Sequence, residues 1–217
     1  MAPVLRLTED ILANGAEVGW PPCSRMIFVV HGTVTVAGHT RGDGEAWHSE
    51  SGVSVRAGNA GATLWRWELS ADAQGLSVPA AGAASREKLA ARLETLPAGE
   101  LLWRGDSVAF PPGGCAYRHR HQGPGIRCLI EGGIRIDTHG LSTSYGPGGA
   151  WFENGPDPVF AQAAADRPSR FIRVMVLPRT LLGKSSIEYL NEEDKADRKS
   201  TRLNSSHRSL SRMPSSA

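Results

Sequence analysis

The chain repeats a pattern of short apolar segments at an offset of about 100 residues, and this repeat limits the folds available to it. The matching segments, in the same order in both copies, are residues 29–36 and 129–136, 44–47 and 148–151, and 64–69 and 171–176. They are rich in β-branched residues and bounded by Gly or Pro, as the strands of sandwiches and barrels are. The sequence, with its 25 glycines, therefore predicts an all-β chain built from a duplicated β unit.

The segment between the two copies has a different pattern. In residues 84–94, Leu89 and Leu93 are four apart, and Ser85 stands where a helix cap is expected. This spacing predicts a short helix that joins the two β units. A second short helix is predicted to begin near Arg179.

These patterns divide the chain into a first barrel over residues 1–80, a helical linker over 81–100 and a second barrel over 101–190. The last segment, residues 197–217, is rich in Ser and Arg and has no apolar periodicity. It resembles the in-frame translation of a sequencing-library adapter, so we expect it to be foreign to the fold and disordered.

Composition argues against several classes of protein. Five of the 24 basic and one of the 22 acidic residues lie in the last segment, so without it the net charge changes from +2 to −2 and gives no support to nucleic-acid binding. No apolar run reaches the roughly 18 residues of a membrane span. The N-terminus is charged where a signal peptide is apolar, and the three cysteines lack CxxC spacing. We expect a cytoplasmic protein with reduced thiols and without a membrane partner.

Two histidines, His119 and His121, stand one residue apart in a predicted strand. Alternate strand residues face the same side, so both imidazoles and the side chain of Tyr117 are expected on one face. Neutral imidazole is a common ligand of transition metals, which makes the pair a candidate half of a metal site. The alternative is a pair of exposed or ligand-binding polar side chains. Tyr117 would either pack or donate a proton in catalysis.

Two arginines, Arg127 and Arg173, lie within otherwise apolar strands. If they point inward, their guanidinium groups would bind an anionic substrate such as a carboxylate. If they point outward, they are ordinary surface charges. Trp151 stands at the repeat position of Trp47, which indicates packing, and it is also a candidate for substrate contact.

The order of features in residues 113–160 resembles the two motifs of the cupin superfamily. A Gly turn is followed by His-x-His, a strand ending in hydrophobic-Glu-Gly, and a second turn-and-strand segment at residues 145–160. The resemblance covers residues 104–178 well and residues 19–70 as a degenerate copy. It implies a bicupin, with two antiparallel jelly-roll barrels on one chain, and a homodimer.

The chain also departs from the cupin pattern. Gly125 and Val159 stand where the motifs place a glutamate and a third histidine, so two of the four usual ligands are absent. In the first copy, Gly19 and Pro21 stand at the positions of the histidine pair. We therefore expect the first barrel to be structural and the second to hold the site.

A metal held by two histidines needs a third protein ligand. The candidate is Glu153, on the strand of the second motif, with Asp157 as a weaker alternative. Two His and one carboxylate suit Fe(II), and would also accept Zn, Mn or Ni.

The resemblance implies a metal-dependent enzyme, a dioxygenase or an isomerase, acting on a small organic anion. A second hypothesis is a binding or sensing bicupin without metal, and a third is a protein that acts by assembly alone.

Overall fold

The structure is a computed structural model that describes residues 2–71, 80–191 and 193–194. These residues form sixteen β-strands and a 3-10 turn, so the predicted all-β class is confirmed. They fall into two compact units, one ending at Glu94 and the other beginning at Thr95. No helix in the described part of the chain is long and apolar enough to cross a membrane. The predicted foreign segment, residues 197–217, lies outside the described residues.

The first unit contains seven strands. They are β1 (Val4–Leu12), β2 (Glu17–Trp20), β3 (Ser24–Val36), β4 (His39–Gly42), β5 (Ala46–Ser49), β6 (Val53–Ser70) and β7 (Ala83–Arg92). They pair in the order β4-β3-β6-β1-β7, with β2 added to β6 and β5 added to β3. Buried and exposed residues alternate in the last part of β3 and the first part of β6, and inward side chains of both strands belong to the apolar core of this unit.

The second unit contains nine strands in two sheets. They are β8 (Leu101–Phe110), β9 (Cys115–His121), β10 (Gly125–Glu131), β11 (Ile134–Thr138), β12 (Leu141–Tyr145), β13 (Ala150–Glu153), β14 (Val159–Ala163), β15 (Ser169–Pro178) and β16 (Ile187–Tyr189). One sheet has the order β13-β10-β15-β8 and the other β12-β11-β14-β9-β16. The predicted short helix near Arg179 is confirmed as a 3-10 turn, Arg179–Leu181.

Both units turn at an equivalent glycine. Gly32 in the first unit and Gly132 in the second have φ angles of +91° and +84°, which L-residues other than glycine rarely adopt. A Cβ atom at either position would also clash with a backbone carbonyl, that of Gly61 or of Pro168. The matching turns support the duplication inferred from the sequence.

The predicted linking helix over residues 84–94 is wrong. Residues 83–92 form strand β7, which pairs antiparallel with β1, and no helix connects the two units in residues 93–100. Ser85 lies within this strand and caps no helix. Its Oγ donates a hydrogen bond to Asp10 Oδ1 at 2.5 Å. Helix propensity is a weak preference, and here pairing with the free edge of β1 outweighs it.

Candidate metal centre and ligand cavity

His119 and His121 lie on β9, which pairs with β14 on one side and β16 on the other. Each is 4% exposed, and their ring centroids are 5.0 Å apart. The expectation that both imidazoles face inward is therefore confirmed. Burial lowers the pKa of His119, and it lowers the pKa of His121 well below its usual range, with further lowering from the positive charges of Arg173 and Arg127. Both rings are neutral at physiological pH, which is the state that ligates metals.

Tyr117 does not share the cavity with the histidines. His119 lies opposite Val159 and Ala116 lies opposite Ala161, so two residues of β9 oppose a single residue of β14. This is a β-bulge, and it shifts the alternation of inward and outward side chains by one residue. Ala116 lines the cavity, whereas Tyr117 is half-buried and outside the lining. The expected inward position of Tyr117 is wrong for this reason.

Neighbouring groups orient both imidazoles. His119 Nδ1 lies 2.7 Å from the carbonyl oxygen of Tyr117, and His121 Nδ1 lies 3.3 Å from Ser186 Oγ. A carbonyl only accepts, so His119 Nδ1 carries the proton and Nε2 keeps its lone pair. This arrangement, in which the distal ring nitrogen is held by a second group, is typical of metal-ligating histidines.

Glu153 on β13 approaches the pair from the other sheet. Its Oε2 lies 3.7 Å from His121 Nε2, and ligand atoms of His119, His121 and Glu153 all lie within 4.8 Å of one another. Trp151 Nε1 donates a hydrogen bond to Oε1 at 2.8 Å. Oε2 is buried and accepts no hydrogen bond from the described residues, so a lone pair remains for a cation.

The donor set fits a divalent transition metal. Two neutral imidazoles and one carboxylate form the facial combination found in non-haem Fe(II) sites, and the same donors accept Mn, Ni or Zn. Oε2 lies 2.7 Å from Arg127 Nη2 but has no aligned hydrogen-bond donor among the described residues, so a lone pair can still be directed at an ion between the two histidines. Asp157, the alternative ligand, lies outside the cavity lining and within 3.5 Å of His139 Nε2.

Arg127 points inward and forms an ion pair with Glu153. Its Nη2 lies 2.7 Å from Glu153 Oε2, without the alignment of a hydrogen bond, and its Nη1 donates to the carbonyl of Gly125 at 2.7 Å. Burial lowers the pKa of Arg127 to about 10, although Glu153 opposes this effect. The side chain is therefore still protonated at neutral pH and holds the carboxylate in place.

Arg173 also points inward, and it is 8% exposed. Its Nε donates a hydrogen bond to Asp106 Oδ2 at 2.9 Å. Its two terminal nitrogens make no hydrogen bond to a described residue, and the side chain lines the cavity. The terminal nitrogens of Arg173 therefore remain available to a ligand in the cavity, whereas Arg127 donates to Gly125 with Nη1 and forms an ion pair with Glu153 through Nη2.

A third arginine, Arg104 on β8, was not singled out from the sequence. Its guanidinium binds the segment that follows β15. Nη1 donates a hydrogen bond to the carbonyl of Lys184 at 2.8 Å, and Nη2 donates one to Ser186 Oγ. Its Nε lies 3.3 Å from Asp106 Oδ2. The signal in the sequence was the two-residue spacing of both charges from Leu102 and Val108, which puts them on the same face of the strand as apolar residues.

These side chains surround a cavity of about 360 Å³ within the second unit. Its charged and histidine lining consists of Arg104, Asp106, His119, His121, Arg127, Glu153, Arg173 and Lys184. Its apolar lining includes Leu102, Val108, Phe110, Ala116, Ile136, Trp151, Ala161 and Phe171. The predicted residues His119, His121, Glu153, Arg127, Arg173 and Trp151 are thus brought together around one space.

The first unit fills the equivalent space with side chains. Trp20 lies opposite Val53 as His119 lies opposite Val159, so the tryptophan occupies the register of the histidine. The guanidinium of Arg66 lies 4.5 Å from the Trp20 ring centroid and pairs with Asp10 at 2.8 Å. Arg66 also pairs with Glu68, which in turn accepts a hydrogen bond from Arg25 at 2.7 Å.

Comparison with known proteins agrees with the fold. No family model matches the chain, and no curated protein matches its sequence. Oxalate decarboxylase from Bacillus subtilis at pH 4.6 matches with a TM-score of 0.63 at 13% identity, over 93% of this chain and 75% of that chain. A structure of the same Bacillus subtilis enzyme examined for its Mn(II) centers matches with a TM-score of 0.63 at 13% identity, over 96% and 80% of the two chains. At this identity the likeness shows the fold alone, and the chain has an all-β jelly-roll fold of the cupin type.

Proposed function

We propose that the second unit binds one divalent transition metal through His119, His121 and Glu153, and a small organic anion beside it. The observation that carries the proposal is the convergence of three buried ligand atoms within 4.8 Å, one of them a carboxylate oxygen without an aligned donor. Support for the metal class also comes from the fold neighbour described by its Mn(II) centers. The candidate ions are Fe, Mn, Ni and Zn.

The chain's own residues have distinct roles in this proposal. Arg127 holds Glu153 in position, and Trp151 donates to its other oxygen, so the carboxylate has one fixed orientation. Arg173 binds the anion with its free terminal nitrogens, and Trp151 borders the same space. Tyr117 acts only through its carbonyl, which orients His119.

When bound, the metal would supply a Lewis acid, and in the case of iron a centre for dioxygen activation. The buried walls exclude water from the bound anion. The reaction class we propose is oxidation or isomerisation of a small carboxylate, carried out by a cytoplasmic homodimer.

One observation favours a second candidate, a metal-free binding module. Arg127 Nη2 lies 2.7 Å from Glu153 Oε2, so the glutamate charge has a counter-ion within the protein. In that case the arginines alone would bind the anion, and the protein would act as a sensor.

Elemental analysis distinguishes the two candidates. The full-length chain, purified without a histidine tag and incubated with each of Fe(II), Mn, Ni and Zn, is expected to retain about one ion per chain. His119→Ala and His121→Ala are expected to lose the ion, because two protein ligands bind weakly. The matched control is His31→Ala, since His31 is 78% exposed in the first unit. A wild-type chain that retains none of the four metals would leave the sensor as the better account.

A further inference from the structure

The cavity is divided into a charged band and an apolar end, and the division follows the strand register. On one sheet, Arg173 lies opposite Asp106 and Arg127. Phe171 is two residues before Arg173 on β15, so it faces the same side of the sheet, and it lies opposite Val108. The polar side chains therefore form one layer of the barrel, and an apolar layer follows about 7 Å farther along the strands.

The facing sheet has the same division. His119 lies opposite Val159, and two residues along β14 Ala161 lies opposite Ala116 and Ile136. Apolar residues of both sheets thus enclose the same end of the cavity, where Phe110 stacks on Phe171 with ring centroids 6.0 Å apart. This end offers a ligand no hydrogen-bonding side chain.

The charged band carries an excess of positive charge. Three arginines and Lys184 line the cavity, and only two carboxylates, Asp106 and Glu153, oppose them. An uncompensated buried cation is costly, so an anion is favoured beside Arg173, and a bound divalent metal would strengthen this preference.

The dimensions of the cavity limit the ligand. A cavity of roughly 150 Å³ holds one benzene molecule, and this cavity measures about 360 Å³. It therefore has room for a carboxylate in the charged band and one ring-sized body in the apolar end. A dicarboxylate of two carbons would leave the apolar end unfilled, and a second carboxylate placed there would be buried without a partner.

We propose that the natural ligand of this cavity is a monocarboxylate with an apolar body of about one ring, bound by Arg173 at its carboxylate and by Phe171, Val108 and Ala161 at its body. This inference rests on the anion site of the proposed function and specifies its substrate class. It also separates this chain from the fold neighbours named for oxalate.

Calorimetric titration of the full-length chain tests the proposal, with phenylacetate, acetate, oxalate and benzyl alcohol as probes. Phenylacetate is expected to bind at least about tenfold more tightly than acetate or oxalate, because only it fills both parts of the cavity. Benzyl alcohol is expected to bind at least about tenfold more weakly than phenylacetate, since it lacks the charge. Oxalate binding as tightly as phenylacetate would overturn the proposal, and so would the absence of binding by every probe.

Two variants locate the two parts of the ligand. Ala161→Leu places a larger side chain in the apolar end, so it should weaken phenylacetate binding about tenfold and leave acetate binding unchanged. Arg173→Lys keeps the charge but loses the paired donors, so it should weaken both carboxylates about tenfold. Arg170→Lys is the matched control, because Arg170 lies on the same strand and pairs with Glu131 at the surface. Circular dichroism verifies folding, and if Ala161→Leu does not fold, the probe preferences of the wild type decide.

Titration of metal-loaded and chelator-treated protein separates this inference from the proposed function. A chain that retains metal but prefers oxalate would overturn the ligand class and keep the metal site. A chain that retains no metal but prefers phenylacetate would support the ligand class and favour the sensor.

Discussion

Burial determines the charge of the cavity histidines. His121 is 4% exposed, and desolvation together with Arg173 and Arg127 lowers its pKa well below the usual range. In the unfolded chain the same imidazole has a pKa of about 6.5. The neutral form is therefore favoured by folding, and protonation is linked to unfolding.

This linkage predicts a loss of stability on acidification of the chelator-treated protein. Because the folded pKa of His121 is depressed, its contribution is fully present above about pH 6.5 and is lost as the pH falls below that value. The urea midpoint is expected to fall between pH 7 and pH 5. His121→Gln should reduce that fall, while His31→Gln, at an exposed site, should not. Equal pH dependence in wild type and His121→Gln would contradict this account.

At the level of single residues, the sequence correctly predicted the direction of those side chains that lie in strand segments with regular inward and outward alternation. His119, His121, Arg127 and Arg173 point inward as two-residue periodicity allows. Tyr117 does not, because the bulge that separates it from His119 depends on β14, a distant strand.

The roles of the arginines could not be predicted from sequence either. Arg127 and Arg173 have similar apolar neighbours in the chain. Arg127 forms an ion pair with Glu153, whereas Arg173 uses Nε for Asp106 and leaves its terminal nitrogens to the cavity. These differences arise from cross-strand neighbours, which one sequence does not reveal.

Strand β7 shows how an element can depart from its local preference. Residues 83–92 include several good helix formers, yet they pair along the whole of β1 from Leu12 to Val4. The short helix predicted near Arg179 is present as the 3-10 turn Arg179–Leu181, which begins where the pairing of β15 with β8 ends.

The turn between β10 and β11 provides a test at the level of elements. Gly132→Ala would combine a left-handed backbone, costing about 1–2 kcal/mol, with a clash against the Pro168 carbonyl. Gly140→Ala has the same backbone strain, with φ +73°, but nothing within 4 Å of the new Cβ. We expect Gly132→Ala to lower the free energy of unfolding by about 3 kcal/mol or more, and Gly140→Ala by about 1–2 kcal/mol. Urea unfolding of both variants measures the difference, and equal losses would show that the clash is relieved by movement.

At the scale of the whole molecule, the two units related by the sequence repeat have different interiors. The second unit encloses a cavity lined by His119, His121 and Glu153, and the first encloses Trp20 with buried ion pairs among Arg25, Arg66, Glu68 and Asp10. The expectation of an emptier first copy rested on Gly19 and Pro21, but register places Trp20 at the position of His119.

The ion pairs of the first unit should be sensitive to the loss of a single partner. Glu68 is 1% exposed and bridges two arginines, so Glu68→Gln leaves buried positive charge uncompensated. We expect a loss of about 3–5 kcal/mol in the free energy of unfolding. The exposed pair of Glu131 with Arg170 is the matched control, and Glu131→Gln should cost about 0–1 kcal/mol. Chemical denaturation measures both, and similar small losses would indicate that water reaches the buried arginines.

The bulge in β9 makes chain length, as well as residue identity, a determinant of this cavity. Ala116 and the histidines face the same interior only because two residues, Tyr117 and Arg118, lie opposite one. Gaining or losing one residue there would exchange the inner and outer faces of everything on one side of it. Relatives of this barrel are therefore best compared with a gap permitted inside the strand, since a single insertion or deletion could create or abolish the ligand pair while every other residue stays the same.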